Sequence, residues 1–543
     1  MKRQLNDREP REFQVDLVRA QEERKDALCQ AATGQGKTAI AAGPYALAQN
    51  ADRVTLMVSP LIGLQDEMVT TFRDEFKLSA VAVNSAHGGC SPELMAEIVH
   101  GKYRIVLLSP EMLLSRRFID NVLRHPAFAR RIYSVVIDEA HCISHWGADF
   151  RKKYSQIGMI RVFLPRNTPF IAVSASLTRR VSRDIVEKLQ MDRRSYVYRN
   201  LGNDRSNVSL VVRAIQNSMQ SYSDLDFVIP NDVASAVDIP KTWIYADNIT
   251  TGAEIIDYLR SLLPPHLHGV IRPYNAVHGI KYREEAMSQF RSGNLRILVC
   301  TDAAGMGCNI PDIDIVVQWK LPGKLSSFIQ RAGRAARGPN TVGLAVLLVE
   351  PSAYSVELTE KTQPGNQAKI KGGRKNPKIP ADKGKKKEKA NYAKTRGRYR
   401  GGLSGDDTIH RIEQPAFNEF DETEGLMLFA QYTKCRRELL RDIFDNPQAE
   451  PVVPCCDVCC PELFDRTRPG VKPRTRSVKR LTYGNAVVAV ETALLRWQNE
   501  VVERDNTTYL TASCILPNDA VRKLSTLKPL TAAAIEGYLS HQW

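Results

Sequence analysis

The chain has 543 residues, several times the ~150 of a typical domain, so it divides into more than one. With 43% apolar and 25% charged residues it has a globular composition, which excludes a wholly disordered or fibrous chain. No stretch approaches the ~18 uncharged apolar residues of a membrane helix, and the opening MKRQLNDREPREFQ is too polar for a secretory signal, so the sequence predicts an intracellular protein with no membrane partner. The charge of +16 is concentrated: of 76 bases and 60 acids, 15 and two fall in 361–400, leaving a nearly balanced 61 and 58 elsewhere. Such a basic tract attracts phosphate backbones without reading sequence, or serves as a solvated linker.

In chain order, short runs rich in β-branched residues recur: VTLMVS (54–59), RIVLLS (104–109), YSVVI (133–137), FIAVS (170–174), TWIYA (242–246), RILVC (296–300), DIVVQW (314–319) and GLAVLLV (343–349). Continuous rather than alternating apolar character predicts strands buried on both faces, as in a parallel sheet with helical crossovers. Helix-like stretches such as 283–293, closed by Gly293, lie between them, so the predicted class is α/β. Two such sets flank a polar stretch near 200–235 and predict two doubly wound lobes, 1–205 and 206–360. Residues 361–410 lose the periodicity and read as a basic disordered linker, 411–470 hold a cysteine cluster, and 471–543 form a helix-rich C-terminal piece.

AATGQGKT (31–38) precedes a helix-like run in which Pro44 predicts a bend or break. Gly34 and Gly36 permit a tight turn that aims N–H groups at phosphate oxygens at a helix N-terminus, Lys37 adds a point charge, and the Thr38 hydroxyl suits Mg²⁺. The first position of the usual pattern is Ala31 instead of glycine. Downstream, YSVVIDEAH ends a strand with Asp138, suited to holding Mg²⁺ through water, and Glu139, suited to orienting or deprotonating an attacking water. Loop and acids in this order predict an NTPase using ATP and Mg²⁺. In the second lobe QRAGRAARG (330–338) places Gln330, Arg334 and Arg337 on one face if helical, so that two guanidinium groups from another lobe reach the γ-phosphate on closure. TDAAGMGCNIP (301–311), with Asp302 and Gly305, supplies a glycine-rich turn just upstream.

Together these stretches resemble superfamily 2 helicases, specifically the RecQ family. DEAHCISHWGADFRKKY (138–154) resembles that family's DEAH box running into its aromatic-rich loop, with Trp146, Phe150 and Arg151 as DNA-coupling residues. R-E-F-Q (11–14) resembles the adenine-recognition motif, so Arg11 and Gln14 join Thr33, Gly34, Gln35, Gly36, Lys37, Thr38, Asp302 and Gly305 as expected nucleotide-binding residues. SPLIGLQDEM (59–68), SPE (109–111) and VHGIKYREEAMSQFRSG (277–293) match further motifs in order. Ser174-Ala175-Ser176 stands where Ser-Ala-Thr is usual, and Ala335-Ala336 where Ala-Gly is commoner. The resemblance implies two tandem RecA-like lobes, ATP-driven 3′ to 5′ movement on single-stranded DNA and strand separation. It also implies DNA (single-stranded and 3′-tailed duplex) as partner and a role in repair or recombination; with the basic tract, it places the protein in the nucleus. Base stacking on the aromatic loop is worth ~1–3 kcal/mol and tolerates any sequence. A translocase that does not separate strands, and a catalytically lapsed DNA-binding protein, are the alternatives.

Five of 11 cysteines fall in one 26-residue window, which predicts a metal site in a reducing compartment. KCRRELLRDIF (434–444) followed by PCCDVCCPE (454–462) resembles the RecQ zinc-binding subdomain. The expected Zn²⁺ ligands are Cys435, Cys455, Cys456 and Cys459, with Cys460 the alternative to Cys455. Arg436 and Arg437 read either as phosphate contacts or as surface salt bridges. The 83 residues after Cys460 are too few for both a winged helix and a separate helical module; they are faintly similar, through Trp497 and Leu524-x4-Pro529, to the family's helical C-terminal module, and read as a capping helical bundle.

Overall fold

The computed structural model describes residues 8–60, 62–84, 89–145, 153–302, 310–356, 358, 414–468, 482–504, 516 and 518–539. Trp146, Phe150, Arg151, Gly305 and the basic tract lie outside the described residues. Among the described residues, no helix is long and apolar enough to cross a membrane.

Two sheets dominate. The first holds β1 (Ala27–Gln30), β2 (Val54–Val58), β3 (Ala80–Val83), β4 (Ile105–Leu108), β5 (Ile132–Ile137), β6 (Phe170–Ser174) and β7 (Val197–Asn200) in the order β3-β4-β2-β5-β6-β1-β7. The second holds β8 (Val208–Ala214), β9 (Thr242–Tyr245), β10 (Ile271–Tyr274), β11 (Ile297–Cys300), β12 (Ile315–Trp319) and β13 (Gly343–Val349) in the order β10-β11-β9-β12-β13-β8. Every pairing in both sheets is parallel. β2, β5, β6, β12 and β13 are buried along their whole length, which is why their sequences run apolar without alternation. The helix over Ile280–Ser292 stops where Gly293 adopts φ +83°, a conformation that costs glycine little.

The stretch read as polar hides a strand. VSLVVRA forms β8, buried at every position, because Arg213 is neutralised by Asp224 (Nη1–Oδ1 2.7 Å) with both side chains about 1% exposed. Beyond the sheets, the cysteine segment is not a free-standing unit. Its helix Arg436–Phe444 packs Leu439, Leu440, Ile443 and Phe444 into the same core as β8, β9 and β13. Asp457 N donates to Leu210 O (2.9 Å) and Leu210 N to Cys455 O (3.3 Å), so the segment covers the open edge of the second sheet at β8. At the C-terminus, helices Val488–Arg504, Asn518–Ser525 and Ala532–Leu539 share a small core around Leu516, Val521 and Leu524. They are joined by an unexpected antiparallel pair, β14 (Thr482–Tyr483) with β15 (Leu527–Lys528).

Candidate active site

The loop after β1 turns through Gly34 (φ +82°) and Gly36 (φ +75°). A Cβ on Gly36 would meet Gln14 Nε2 at 2.9 Å, so this glycine is required by both dihedral and space. The helix that follows, Ala39–Ala42, lasts a single turn before Pro44 converts the chain to 3₁₀ geometry. The break falls at Pro44, as the sequence predicts, and leaves a single helical turn beside the left-handed glycines of the loop to face a phosphate. Lys37 folds back on its own loop, Nζ donating to Ala31 O (2.9 Å) and Ala32 O (3.3 Å). Gln14 is similarly engaged. Its Nε2 donates to Gly36 O (2.9 Å) and Gln35 O (3.4 Å), while Oε1 accepts from Arg11 N (2.9 Å).

A cavity of about 560 Å³ opens over this loop. Arg11, Gln14, residues 33–38, Asp138 and Glu139 line it from the first lobe, and Arg334 and Arg337 from the second. The lobes touch here: Thr33 Oγ1 donates to Gly333 O (3.0 Å), and a Cβ on Gly34 would lie 3.9 Å from Arg337 Cγ. Gln330 and Asp302 stay outside the cavity. Asp302 accepts from Arg331 Nη2 (2.6 Å) and Nε (2.9 Å), and Arg331 Nη2 also lies 2.8 Å from Asp247. Arg331, buried and tied also to Gln318, is therefore the arginine of this motif that faces its own lobe. Sequence reasoning assigned it no role, because nothing in QRAGRAARG distinguishes it from its neighbours.

The two acids differ in electrostatics. Burial, with the charge of Glu139 beside it, pushes Asp138 up to about 6 against the pull of Lys37. Glu139 is equally buried, yet His141, Lys37 and Arg334 outweigh burial and bring it down to about 2. Glu139 sits at φ +47°, an uncommon conformation for a non-glycine residue, and its buried Oε2 has no hydrogen bond among the described residues. His141, 3.3 Å from that oxygen, also meets Ser174 Oγ at 2.9 Å and so joins the acidic turn to the Ser174-Ala175-Ser176 stretch. The DEAH spelling contained the signal for His141, but the reading above gave it no task.

Residues 11–185 match the DEAD/DEAH box helicase family and residues 239–339 the helicase conserved C-terminal domain. The chain is 28% identical over 349 residues to the probable ATP-dependent DNA helicase RecS of Bacillus subtilis, covering 63% of this chain and 65% of the relative. It is 27% identical over 351 residues to the ATP-dependent DNA helicase RecQ of Haemophilus influenzae, covering 64% and 52%. Residues 11–185 and 239–339 therefore carry the two domains of a DEAD/DEAH box helicase core, and over that core the chain is similar to RecQ-type helicases. Its match spans less than two thirds of the length of these relatives. The two-lobed fold is also that of the DUF1998 helicase MrfA in its crystal structure with DNA and AMPPNP (TM-score 0.51, 19% identity, 64% of this chain and 50% of that one).

The thiols of Cys435, Cys455, Cys456 and Cys459 all lie within 4.8 Å of one another. Cys435 Sγ and Cys455 Sγ are 3.6 Å apart, close to the ~3.8 Å between two sulfurs on one tetrahedral Zn²⁺ at ~2.3 Å. Four soft donors at that spacing fit zinc. Cys460 stands outside the group and packs against the second lobe's other core. Arg436 and Arg437 are neither phosphate contacts nor surface salt bridges. Both are buried, Arg436 forming a two-pronged pair with Asp457 and Arg437 reaching Asp204, Arg205 O (3.2 Å) and Val208 O (2.6 Å).

Proposed function

We propose that this chain is an ATP-dependent DNA helicase that moves 3′ to 5′ on single-stranded DNA and separates the duplex ahead of it, acting in repair or recombination. One observation carries the reading: a single cavity collects Lys37, Asp138 and Glu139 from one lobe and Arg334 and Arg337 from the other. A nucleotide held there is sensed by both lobes, so binding and hydrolysis are felt as closure and opening. The triphosphate takes the place of the loop carbonyls on Lys37, and the left-handed glycines present N–H groups to its oxygens. Arg11 and Gln14, with Met68 and Phe76 on the same wall, receive the base. Glu139, ionised throughout the neutral range, orients the attacking water and accepts its proton, while Arg334 and Arg337 stabilise the charge that develops on the transferred phosphoryl group.

Thr38 and Asp138 are hard oxygen donors in the same cavity, and Glu139 Oε2, which lacks a hydrogen bond among the described residues and has His141 3.3 Å away, completes an oxygen-rich lining that fits a hydrated cation. They hold Mg²⁺, which neutralises phosphate charge when bound. Cys435, Cys455, Cys456 and Cys459 hold a structural Zn²⁺ that ties together the two ends of the cysteine segment. Trp146, Phe150 and Arg151 couple closure to DNA by stacking and phosphate contact. Nuclear residence rests on the basic tract 361–400 alone among the features of this chain; a fluorescent fusion whose lysines and arginines in that tract are replaced tests it, and undiminished nuclear signal removes the tract from the argument.

ATP turnover measured with single-stranded DNA, with RNA and with neither, beside strand displacement on 3′- and 5′-tailed duplexes, decides the function. Turnover stimulated by DNA and displacement from the 3′ tail are expected. DNA-stimulated turnover with no displacement on either duplex would replace helicase by translocase, and no turnover at all would leave a lapsed DNA-binding protein.

A further inference from the structure

The turn that ends the helix Arg436–Phe444 leaves the cysteine segment and enters the seam between the lobes. Asp445 caps the helix in the left-handed region (φ +54°), which swings Asn446 inward to a position only 5% exposed. One amide then reaches three separate parts of the molecule. Asn446 Oδ1 accepts from Gln30 Nε2 (3.3 Å) in the first lobe and from Asn203 N (3.0 Å) in the interlobe linker. Its Nδ2 donates to Asn203 Oδ1 (2.9 Å) and to Leu440 O (3.4 Å) in its own helix.

Each partner leads to the nucleotide cleft. Gln30 is the last residue of β1, directly before the phosphate loop, and its Oε1 accepts from Leu177 N (3.1 Å). Asn203 Nδ2 donates to Ser176 Oγ (3.3 Å), in the stretch that meets His141 at Ser174. Two residues further along the linker, Arg205 donates to Gly333 O (3.2 Å) and Ala336 O (2.7 Å), and Asn207 donates to Ala336 O (2.9 Å). Those carbonyls belong to the turn that carries Arg334 and Arg337. The fit leaves little slack: a Cβ on Gly202 (φ +77°) would come within 3.0 Å of Pro447 Cδ and 3.1 Å of Asn446 Oδ1.

We propose that Asn446 is a positioning residue for ATP hydrolysis, holding the interlobe linker at Asn203 against the base of the phosphate loop and so fixing the pivot about which Arg334 and Arg337 approach the nucleotide. The inference rests on the proposed ATP-driven closure and adds to it a role for the cysteine segment inside the hinge. A pivot defined by buried, reciprocal hydrogen bonds has few alternative positions, because each displaced donor or acceptor loses its partner away from water. Small errors in the pivot become larger errors at the guanidinium groups, where misplacement is costly to rate. Asn446 is not among the residues that line the nucleotide cavity, so its loss acts on coupling and leaves those binding groups in place.

The test compares Asn446→Ala, Asn203→Ala and the double variant with the unaltered chain, reading ATP turnover with and without single-stranded DNA, zinc content and melting temperature. DNA-stimulated kcat is expected to fall about five- to tenfold in each single variant, the size of a typical coupling between sites. The ATP KM is expected to stay within about twofold, zinc at the unaltered level, and the double variant no worse than either single one. Unchanged DNA-stimulated kcat in a folded, zinc-loaded Asn446→Ala protein overturns the proposal, as does a double variant whose losses multiply. Should Asn446→Ala fail to fold, Asn203→Ala alone is read by the same kcat criterion. Absence of turnover in the unaltered chain would instead remove the proposed function and is separately visible.

Discussion

The cleft and the cysteine segment both depend on arginines near glycine-rich or cysteine-rich turns, yet they use them in opposite ways. Arg334 and Arg337 line an open cavity of about 560 Å³ facing a lysine and two acids of the other lobe. Arg436 has no exposed side-chain surface, and its guanidinium is consumed by Asp457 and by Phe429 O (2.6 Å). A charge that must meet a ligand faces a cavity, whereas a buried charge that only holds structure is enclosed and hydrogen-bonded on every side. The difference predicts that the two sets of arginines fail differently when altered: those of the cleft in rate at constant stability, those of the segment in stability first.

The largest expected effect lies in the segment. Replacing Cys456 by serine, or stripping metal with a chelator, should remove about one zinc per chain and with it binding energy on the order of 10 kcal/mol, so the second lobe loses its edge cover and the melting transition broadens or disappears. A protein that keeps its melting curve without zinc would refute the metal assignment. Next come the cleft residues. Lys37→Ala should abolish turnover and Arg334→Ala should lower kcat by ~10³, both with Tm unchanged. Unchanged hydrolysis in Lys37→Ala would move the site elsewhere. Smaller in free energy is Arg436→Ala, which strands Asp457 in the core and should cost about 3–5 kcal/mol of stability by urea titration. If instead that variant melts normally but hydrolyses poorly, the contrast drawn between the two pairs of arginines is wrong.

How much of this was readable beforehand depended on whether the cause was local. The parallel strands show as apolar runs because burial on both faces removes alternation, and the phosphate loop and Asp138-Glu139 show because their chemistry is set by adjacent residues. The approach of Arg334 and Arg337 to the loop is set by how two sheets are joined; the spacing of QRAGRAARG suggested it, but the distance between the two elements is visible only in the fold. β8 escaped because Arg213 within it looks like a surface residue until Asp224 neutralises it eleven positions later. Arg436 and Arg437 were misread for the same reason, their partners Asp457 and Asp204 being 21 and 233 positions away. Asn446 had no signal at all: Gln30 and Asn203, the partners that tie it to the first lobe and the linker, lie 416 and 243 positions away.

The finest test separates the two acids of the cleft. Asp138 has its folded pKa raised from 3.8 to about 6, so ionising it works against the folded state. Between pH 4 and pH 6 the unfolded chain gives up this proton more readily than the folded one, and stability contributed by the protonated form is lost as pH rises through that window. Glu139 has the opposite sign: held near 2, it contributes stability above its ordinary value of 4.5 that disappears only in strong acid. Without Mg²⁺, Asp138→Asn should therefore melt like the unaltered chain near pH 4 and on the order of 5 °C higher above pH 6, while Glu139→Gln should melt lower across the neutral range. Added Mg²⁺ should erase the advantage of Asp138→Asn, because a bound cation favours the ionised carboxylate that the variant lacks. Equal melting temperatures for Asp138→Asn and the unaltered chain from pH 4 to pH 8 would mean that Asp138 is not desolvated, and that the cleft reaches solvent more freely than its geometry indicates.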